Sequence, residues 1–323
     1  MRYRVLVSAP YFQPVLDEYH DVFSRHDITL EVPPVEERMS EAELLACIGD
    51  IDGVICGDDS FTDRVFQHAP RLKVISKWGT GIDSIDAEAA KRHGVRVCNT
   101  PDAFTVPVAD SVLGYVLCFA RRLHVMDRAM KSGNWEKIPG VALSECTLGI
   151  IGLGNIGKAV ARRATVFGIR ILGNDIQPVD EAFVSETGAT VTSKDQLFRE
   201  SDFVSMHCDL NPTSKGLVGF EQLTAMKSTA YLINTSRGPV ISERALVRAL
   251  QTGEIAGAAL DVYEDEPLPA DSPLRTMNNC LLAPHNANSS PKAWQRVHSN
   301  TVRSLLEGLS LDPDLSDIHP VTD

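Results

Sequence analysis

Three residues suited to proton transfer and anion binding stand where short apolar runs of the sequence end. Arg237 follows the run in "LINTSRGPV", Glu266 lies in "GAALDVYEDEPL", and His285 closes "LLAPHN". An arginine can hold a carboxylate through two parallel hydrogen bonds, a histidine can transfer a proton near neutral pH, and a glutamate can orient that histidine. Together they suit hydride transfer at C2 of a 2-hydroxy acid. Each alone also fits an ordinary surface, loop or core position.

A glycine-rich stretch supplies a candidate cofactor site. The letters "IIGLGNIGKAV" carry the spacing G-x-G-x-x-G after an apolar run, and the candidate residues are Gly152, Gly154, Asn155, Ile156 and Gly157. Such glycines allow a tight turn and close approach of the backbone to a pyrophosphate, which the N-terminus of the following helix attracts. An ordinary flavodoxin-like turn is the alternative.

Asp175 strengthens the cofactor interpretation. It ends the next apolar run, "RILGND", where the dinucleotide-binding motif has an acidic residue about 20 positions after the glycines. A carboxylate there can accept hydrogen bonds from both ribose hydroxyls and would repel a 2′-phosphate. Because Ile176 and Gln177 follow and no arginine does, the sequence favours NAD over NADP.

The elements that must position these residues alternate between buried strands and helices. The first third contains four strand-like runs: "RVLVSAP", "GVICG", "LKVISKWG" and "VRVCNT". Six more follow from Thr147: "TLGIIGLG", "RILGND", "DFVSMHC", "AYLINTS", "GAALDV" and "CLLAPHN". The pattern predicts an α/β protein of two Rossmann-like or flavodoxin-like βα domains with parallel sheets.

The expected boundaries follow from a change of pattern near residue 104. One long helix, from about Val106 to Lys131, is predicted to link the domains, and a final helix from about Pro291 to Leu309 to pack on the first domain. We therefore expect a substrate-binding domain of residues 1–103 plus 290–323, an NAD-binding domain of residues 104–289, and the active site in the cleft between them. The tail after Ser310 is expected to be loose.

Composition excludes several classes of function. The chain has 323 residues and a formal net charge of -12, which argues against non-specific binding to nucleic acid or anionic membranes. Its start is too poor in apolar residues for a signal peptide, and its longest apolar run is about half of a membrane span. The seven cysteines form no C-x-x-C pair. These features favour a cytoplasmic protein with reduced thiols.

The sequence resembles the D-isomer-specific 2-hydroxyacid dehydrogenases over nearly its whole length. The motifs "GTGIDSID", "NTP", "GIIGLGNIGK", "SRG", "ALDVYEDEPL" and "PH" occur in that family's order and spacing. The resemblance implies bound NAD and a small anionic 2-hydroxy or 2-oxo acid as substrate. It also implies that Arg237 binds the carboxylate and carbonyl, that His285 transfers the proton, and that Glu266 is the partner of the histidine.

Further roles come from the same resemblance. Main-chain amides around Trp78 and Gly79 would hold the substrate carboxylate, Asp261 and Thr235 would contact the nicotinamide carboxamide, and the helix "VADSVLGYVLCFARRL" would form a homodimer contact. Two further residues would line the cofactor cleft: His207, for which a structural role is an equal alternative, and Pro212.

The substrate stays open at this point. Lys77 and Lys137 stand near basic positions of phosphoglycerate dehydrogenases, so they could bind the phosphate of 3-phosphoglycerate or be ordinary solvated lysines. We expect a phosphoglycerate dehydrogenase-like protein without a regulatory domain, with glyoxylate or hydroxypyruvate reduction as the alternative. The residues after His285, 286–289, depart from the family pattern. Asn286 or Asn288 could contact substrate, while Ser289 is expected to cap the final helix.

Other classes of function compete with this interpretation. An NAD(H)-sensing binding protein, like the corepressors of this fold, would keep the same residues but turn over slowly. A formate dehydrogenase is disfavoured because Glu266 would be glutamine, and a methyltransferase because the series Arg237, Glu266 and His285 would have no purpose. We expect no metal site at the acidic loop 264–266, because no histidine pair accompanies it.

Overall fold

The computed structural model describes residues 3–313. The chain divides into two compact units: unit 1 comprises Met1–Phe104 and Ser290–Asp323, and unit 2 comprises Thr105–Ser289. Each unit is an α/β structure around one parallel sheet, so the predicted fold class of two parallel βα domains is confirmed.

The described residues contain twelve strands and twelve α-helices. The strands are β1 (Tyr3–Val7), β2 (Ile28–Glu31), β3 (Gly53–Cys56), β4 (Val74–Lys77), β5 (Arg96–Cys98), β6 (Thr147–Ile151), β7 (Arg170–Asn174), β8 (Thr190–Val191), β9 (Phe203–Met206), β10 (Tyr231–Asn234), β11 (Gly257–Leu260) and β12 (Cys280–Leu282). The helices are α1 (His20–Arg25), α2 (Glu41–Cys47), α3 (Asp63–Gln67), α4 (Ala87–Arg92), α5 (Thr105–Ala120), α6 (Leu123–Lys131), α7 (Asn155–Thr165), α8 (Glu181–Thr187), α9 (Lys194–Glu200), α10 (Phe220–Ala225), α11 (Glu243–Thr252) and α12 (Pro291–Gly308).

Unit 1 has a five-stranded parallel sheet in the order β2-β1-β3-β4-β5, which is the flavodoxin-like order. Its central strands β3 and β4 are buried along their full length, as expected for a sheet covered on both faces. The hydroxyl of Ser76 in β4 donates to the carbonyl oxygen of Thr301 in α12 at 2.8 Å. This bond fixes α12 against the strand whose end carries Trp78.

Unit 2 has a seven-stranded parallel sheet in the order β12-β11-β10-β9-β6-β7-β8. The strand order reverses between β6 and β9, because the chain first builds β7 and β8 on one side of β6 and then continues on the other. In open α/β sheets, ligands bind outside the carboxyl ends of the strands at such a switch point. A ligand is therefore expected at the loops that follow β6 and β9.

The prediction of one long helix from Val106 to Lys131 is wrong, because the structure has two helices there. α5 ends at Ala120, α6 begins at Leu123, and Arg122 between them has φ of 53°. A non-glycine residue in this left-handed conformation ends a helix, and arginine gives no sequence signal for it. α5 buries Ala109, Val112 and Val116 in the core of unit 2.

In the part of the chain that the structure describes, no helix combines the length and apolar character needed to cross a membrane. The final helix, α12, ends at Gly308, close to the expected end at Leu309. Most of the tail after Ser310, which was expected to be loose, lies outside the described residues.

Candidate active site

The predicted catalytic and cofactor residues of unit 2 follow the carboxyl ends of its strands. Because all strands of this sheet are parallel, their carboxyl ends share one edge. The residues that follow the strands there are Gly152 after β6, Asp175 after β7, His207 after β9, Thr235 and Arg237 after β10, Asp261 after β11 and His285 after β12. The sheet thus gathers at one edge residues that are far apart in the sequence.

His285 and Glu266 form a hydrogen-bonded pair. Nδ1 of His285 lies 2.9 Å from Oε2 of Glu266. The other carboxylate oxygen of Glu266, Oε1, accepts a hydrogen bond from the main-chain N–H of Tyr263 at 2.9 Å. The hydroxyl of Tyr263 in turn donates to the carbonyl oxygen of Ala283, 2.9 Å away. The loop after β11 is therefore tied to the end of β12, and the carboxylate is aimed at the imidazole.

Asp261 fixes the backbone that carries His285. Its main-chain oxygen accepts from the N–H of His285 at 2.7 Å. Its carboxylate accepts from the N–H of Asn286 at 2.7 Å and from the N–H of Ala287 at 2.9 Å. Burial raises the pKa of Asp261, and these two amide hydrogen bonds oppose the rise because they stabilise the carboxylate form.

The hydrogen bonds to Asp261 hold an unusual backbone conformation at His285. His285 has φ of 50°, a left-handed value that non-glycine residues seldom adopt. Such a conformation costs on the order of 1–2 kcal/mol and persists only where surrounding contacts determine it. The three hydrogen bonds to Asp261 supply those contacts, so this carboxylate positions the proposed acid-base histidine.

Arg237 lies in the turn after β10, next to the loop that carries Glu266. Its Nη1 donates to the carbonyl oxygen of Ser236 at 2.9 Å, and its own carbonyl oxygen accepts from the side-chain amide of Asn234 at 3.0 Å. A Cβ atom at Gly238 would lie 1.8 Å from the carbonyl oxygen of Tyr263. Only glycine allows the two loops to approach this closely, which explains the "SRG" motif.

The glycine-rich turn after β6 packs against the chain after β9. Gly152 has φ of 91°, and a Cβ atom there would lie 2.6 Å from the carbonyl carbon of His207. Gly157 is buried, whereas Gly154 and Asn155 are exposed and Ile156 is partly exposed in the first turn of α7. In a dinucleotide-binding loop, the first glycine forms the tight turn and the last packs the helix against the strand. Gly152 and Gly157 have these two positions.

The residues at this turn fit NAD. Gly154 is the N-cap of α7 and provides no side-chain cap, and apart from its own neighbours in the chain no described residue lies within 4 Å of the position of an added Cβ. The carboxylate of Asp175 accepts from the N–H groups of Leu153 and Gln177 at 2.6 and 2.8 Å, which leaves further lone pairs for ribose hydroxyls. In the described part of the chain, the buried hydroxyl of Thr235 lacks a hydrogen-bond partner, as expected of a group that faces a ligand.

His207 and Pro212 differ in their surroundings. Nε2 of His207 lies 2.8 Å from the hydroxyl oxygen of Ser205, and burial lowers the pKa of His207 to about 3. The ring is therefore neutral and held by the sheet, which favours the structural alternative for its side chain. Pro212 is exposed in a turn after β9 that the side chain of Asn211 stabilises through the N–H of Thr213.

Replacing Asp175 by asparagine should weaken the preference for NADH over NADPH. The substitution keeps one acceptor oxygen but removes the charge that repels a 2′-phosphate. We expect the ratio of kcat/KM for NADPH to that for NADH to rise about tenfold or more, the scale of one charge-assisted contact. Steady-state kinetics with both cofactors measures it, with thermal unfolding as the control for loop damage. An unchanged ratio would mean that another group selects the cofactor.

The predicted substrate-binding residues of unit 1 lie at and after the end of β4. Lys77 is 4% exposed, and its Nζ lies 3.0 Å from Oδ1 of Asp58. The N–H of Trp78 donates to the carbonyl oxygen of Cys56 at 2.8 Å. Within residues 3–313, the N–H groups of Gly79 and Thr80 donate no hydrogen bond to another protein atom. The donors that this loop offers to a ligand are therefore those of Gly79 and Thr80.

Comparison with known proteins identifies the family. Residues 113–287 match the model of the D-isomer specific 2-hydroxyacid dehydrogenase, NAD binding domain. The chain belongs to this family. A glyoxylate reductase of Thermofilum pendens is 40% identical over 274 residues, which are 83% of this chain and 81% of that protein. A D-3-phosphoglycerate dehydrogenase of Methanocaldococcus jannaschii is 38% identical over 276 residues, which are 84% of this chain but 52% of that protein.

A solved structure extends the likeness to both units. The D-lactate dehydrogenase of Aquifex aeolicus, crystallised with NAD and lactic acid, is 27% identical, covers 99% of both chains and superimposes with a TM-score of 0.85. This member of the D-isomer specific 2-hydroxyacid dehydrogenase family is thus an NAD-dependent oxidoreductase that acts on CH–OH groups, as the sequence predicted.

Near the site, one sequence prediction is wrong and one contact was not predicted. Ser289 was expected to cap the final helix, but the N-cap of α12 is Ser290, whose hydroxyl accepts from the N–H of Ala293. The N–H of Ser289 instead closes a turn onto the carbonyl oxygen of Asn286 at 3.0 Å. Sequence reasoning also missed the pairing of Lys77 with Asp58, because an acidic residue after β3 gives no signal that it faces β4.

Proposed function

We propose that this enzyme reduces small, unphosphorylated 2-oxo acids of the glyoxylate and hydroxypyruvate type to D-2-hydroxy acids with NADH. The observation that carries the proposal is the His285–Glu266 pair at 2.9 Å, beside the turn of Arg237. This arrangement supplies one proton-transfer group with a fixed orientation and one cation for a 2-oxo acid. The reverse oxidation uses the same groups with the proton moving the other way.

His285 would donate a proton to the forming alkoxide in reduction and accept the hydroxyl proton in oxidation. The proton moves through Nε2, because Nδ1 contacts Glu266. The Glu266 carboxylate stabilises the imidazolium form that donates the proton and keeps the ring in one orientation. Bound NADH supplies the hydride that C2 of the substrate receives.

Arg237 would bind the substrate carboxylate and polarise the carbonyl oxygen. Its planar guanidinium can make two parallel hydrogen bonds to a carboxylate, which fixes C2 relative to the histidine. We also propose that unit 1 binds substrate through main-chain donors. We assign this task to the N–H groups of Gly79 and Thr80, since the N–H of Trp78 is already bound to Cys56.

The preference for an unphosphorylated substrate rests on Lys77. Its ammonium group is buried beside the Asp58 carboxylate at 3.0 Å, so the pair carries no net charge for a distal phosphate. Withdrawing this buried lysine from its ion pair would cost interaction energy. Lys137 is exposed in the segment between α6 and β6, and its part in substrate binding stays a prediction. The relatives include both glyoxylate reductases and D-3-phosphoglycerate dehydrogenases, so the choice depends on the ion pair of Lys77.

A substrate panel tests the proposal. NADH oxidation is followed with glyoxylate, hydroxypyruvate, pyruvate and 3-phosphohydroxypyruvate, each scored by kcat/KM. We expect hydroxypyruvate or glyoxylate to exceed the phosphorylated acid by about 100-fold or more, the scale set by one missing charge-assisted contact in a buried site. A preference for 3-phosphohydroxypyruvate would contradict the assignment of Lys77.

The assembly and the location are proposed from the surface and the composition. We propose a cytoplasmic homodimer in which unit 1 binds substrate and unit 2 binds NAD. Between residues 106 and 141, unit 2 exposes several large apolar side chains: Val106, Leu123, Met130, Trp135 and Val141. Such a concentration in one segment is typical of an association surface.

Light scattering should give the mass of two chains for the native protein. Replacing Leu123 and Met130 together by serine should shift the mass toward one chain, because both side chains are half exposed on α6, which buries no residue in its own unit. A matched double substitution at exposed Val166 and Ile176, outside this segment, should leave the mass unchanged. A native mass of one chain would refute the dimer.

A further inference from the structure

Trp78 and His298 form a buried hydrogen-bonded pair in unit 1. Nε1 of Trp78 donates to Nδ1 of His298 at 3.0 Å, and the two side chains are 5% and 7% exposed. Because indole can only donate, His298 must present a lone pair on Nδ1, which requires the neutral ring. Burial lowers the pKa of His298 to about 4, in agreement with that requirement.

Aromatic rings hold both members of the pair in place. The ring of Tyr11 stacks on Trp78 with centroids 5.4 Å apart, and Phe104 lies 5.8 Å away at a tilt. Phe12 packs on His298 at 5.6 Å. The indole therefore has one position, set by packing on several sides and by a single polar contact to α12.

The Trp78 side chain fixes the start of the loop that offers main-chain donors. The N–H of Trp78 continues the pairing of β4 with β3 through Cys56, and its indole is bound to α12. The next residue, Gly79, has φ of 125° and accepts a hydrogen bond from the N–H of Thr100 at 2.9 Å. In the described part of the chain, Gly79 and Thr80 are held only through their oxygen atoms, by residues 99 and 100, whereas Trp78 directly before them is held by both its main chain and its side chain.

We infer that His298 is a positioning residue for substrate binding, acting through the indole of Trp78 on the N–H groups of Gly79 and Thr80 that bind the 2-oxo acid carboxylate. This inference rests on the proposed function. Without the imidazole acceptor, the indole loses its only polar anchor and a buried donor is left unpaired. The loop then shifts, and its amide donors no longer point at the carboxylate. The substrate is therefore bound more weakly in both the ground state and the transition state.

The prediction is therefore a change in KM rather than in kcat. His298→Phe and Trp78→Phe each keep an aromatic ring and remove one side of the hydrogen bond. Each should raise the KM for hydroxypyruvate about tenfold, the scale of one lost hydrogen bond with its partner left buried. The KM for NADH should stay within about twofold, since the proposed cofactor residues all belong to unit 2.

A double-mutant cycle separates positioning from simple core packing. If the pair acts as a unit, the double variant should have no higher KM than either single variant, whereas independent packing effects would multiply. His298→Asn offers a neutral oxygen acceptor and should recover part of the lost affinity. Trp294→Phe is the matched control, because Trp294 lies in the same aromatic cluster but its buried indole nitrogen has no partner among the described residues. The KM of Trp294→Phe for hydroxypyruvate should equal the native value.

A second measurement does not depend on activity. In the native protein, the indole N–H signal of Trp78 in ¹⁵N-resolved NMR should exchange slowly with deuterium, and His298→Phe should make it exchange fast. A native KM in His298→Phe, or multiplicative effects in the double variant, would overturn the inference while leaving the proposed function intact. If the native protein reduced none of the 2-oxo acids, the proposed function would fail, and this inference with it.

Discussion

Replacing His285 by alanine should lower kcat for hydroxypyruvate reduction by about 100-fold to 10,000-fold, the range of a lost general acid. NADH should bind as tightly as to the native enzyme, because the glycine turn and Asp175 are untouched. Steady-state kinetics gives kcat, and quenching of protein fluorescence by NADH gives its Kd. Alanine, like histidine, is disfavoured in the left-handed backbone conformation of residue 285. The substitution should therefore change the free energy of unfolding little.

Glu266→Gln provides the matched control for this prediction. Glutamine keeps an oxygen toward the N–H of Tyr263 but cannot offer a charged partner to Nδ1 of His285. We expect an intermediate loss of kcat, because the imidazolium loses its charged partner but the ring keeps a neighbour that orients it. If His285→Ala kept kcat within tenfold of the native value, another group would have to be the proton donor.

Replacing Arg237 by glutamine should lower kcat/KM by about 100-fold or more, because a charge-assisted contact to the substrate carboxylate and carbonyl is lost. Arg237→Lys should recover only part of this loss, since an ammonium group cannot make two parallel hydrogen bonds in one plane. Kinetics with hydroxypyruvate measures both variants. The backbone of the turn should survive, because Asn234 holds the main-chain oxygen of residue 237. Full activity in Arg237→Lys would show that a point charge is sufficient.

The sequence predicted the buried strands well but missed two of the four edge strands. The central strands β3, β4, β6 and β9 are buried at every residue, and their continuous apolar letters are visible without a structure. The edge strands β2 and β8 were missed, because "ITLE" is largely half exposed and "TV" is two exposed residues long. Short, solvated edges carry neither an apolar run nor a clear alternation.

The candidate site was predictable where a strand end determines position. Asp175, Arg237, Asp261 and His285 could be assigned to one edge because parallel strands end together. The carboxylate contacts of Asp261 with residues 286 and 287 could not, since they depend on how a loop after β11 meets a loop after β12. The pairing of Trp78 with His298 joins residues 220 positions apart and leaves no trace in spacing or period.

The central claim is that His285 and Arg237 assist direct transfer of a hydride from NADH to C2 of a 2-oxo acid. The most direct measurement uses NADH carrying deuterium at the transferred C4 position, hydroxypyruvate and the native enzyme, with the product analysed by mass spectrometry and chiral chromatography. We predict D-glycerate with one deuterium at C2. L-glycerate, or a product without deuterium at C2, would contradict the account.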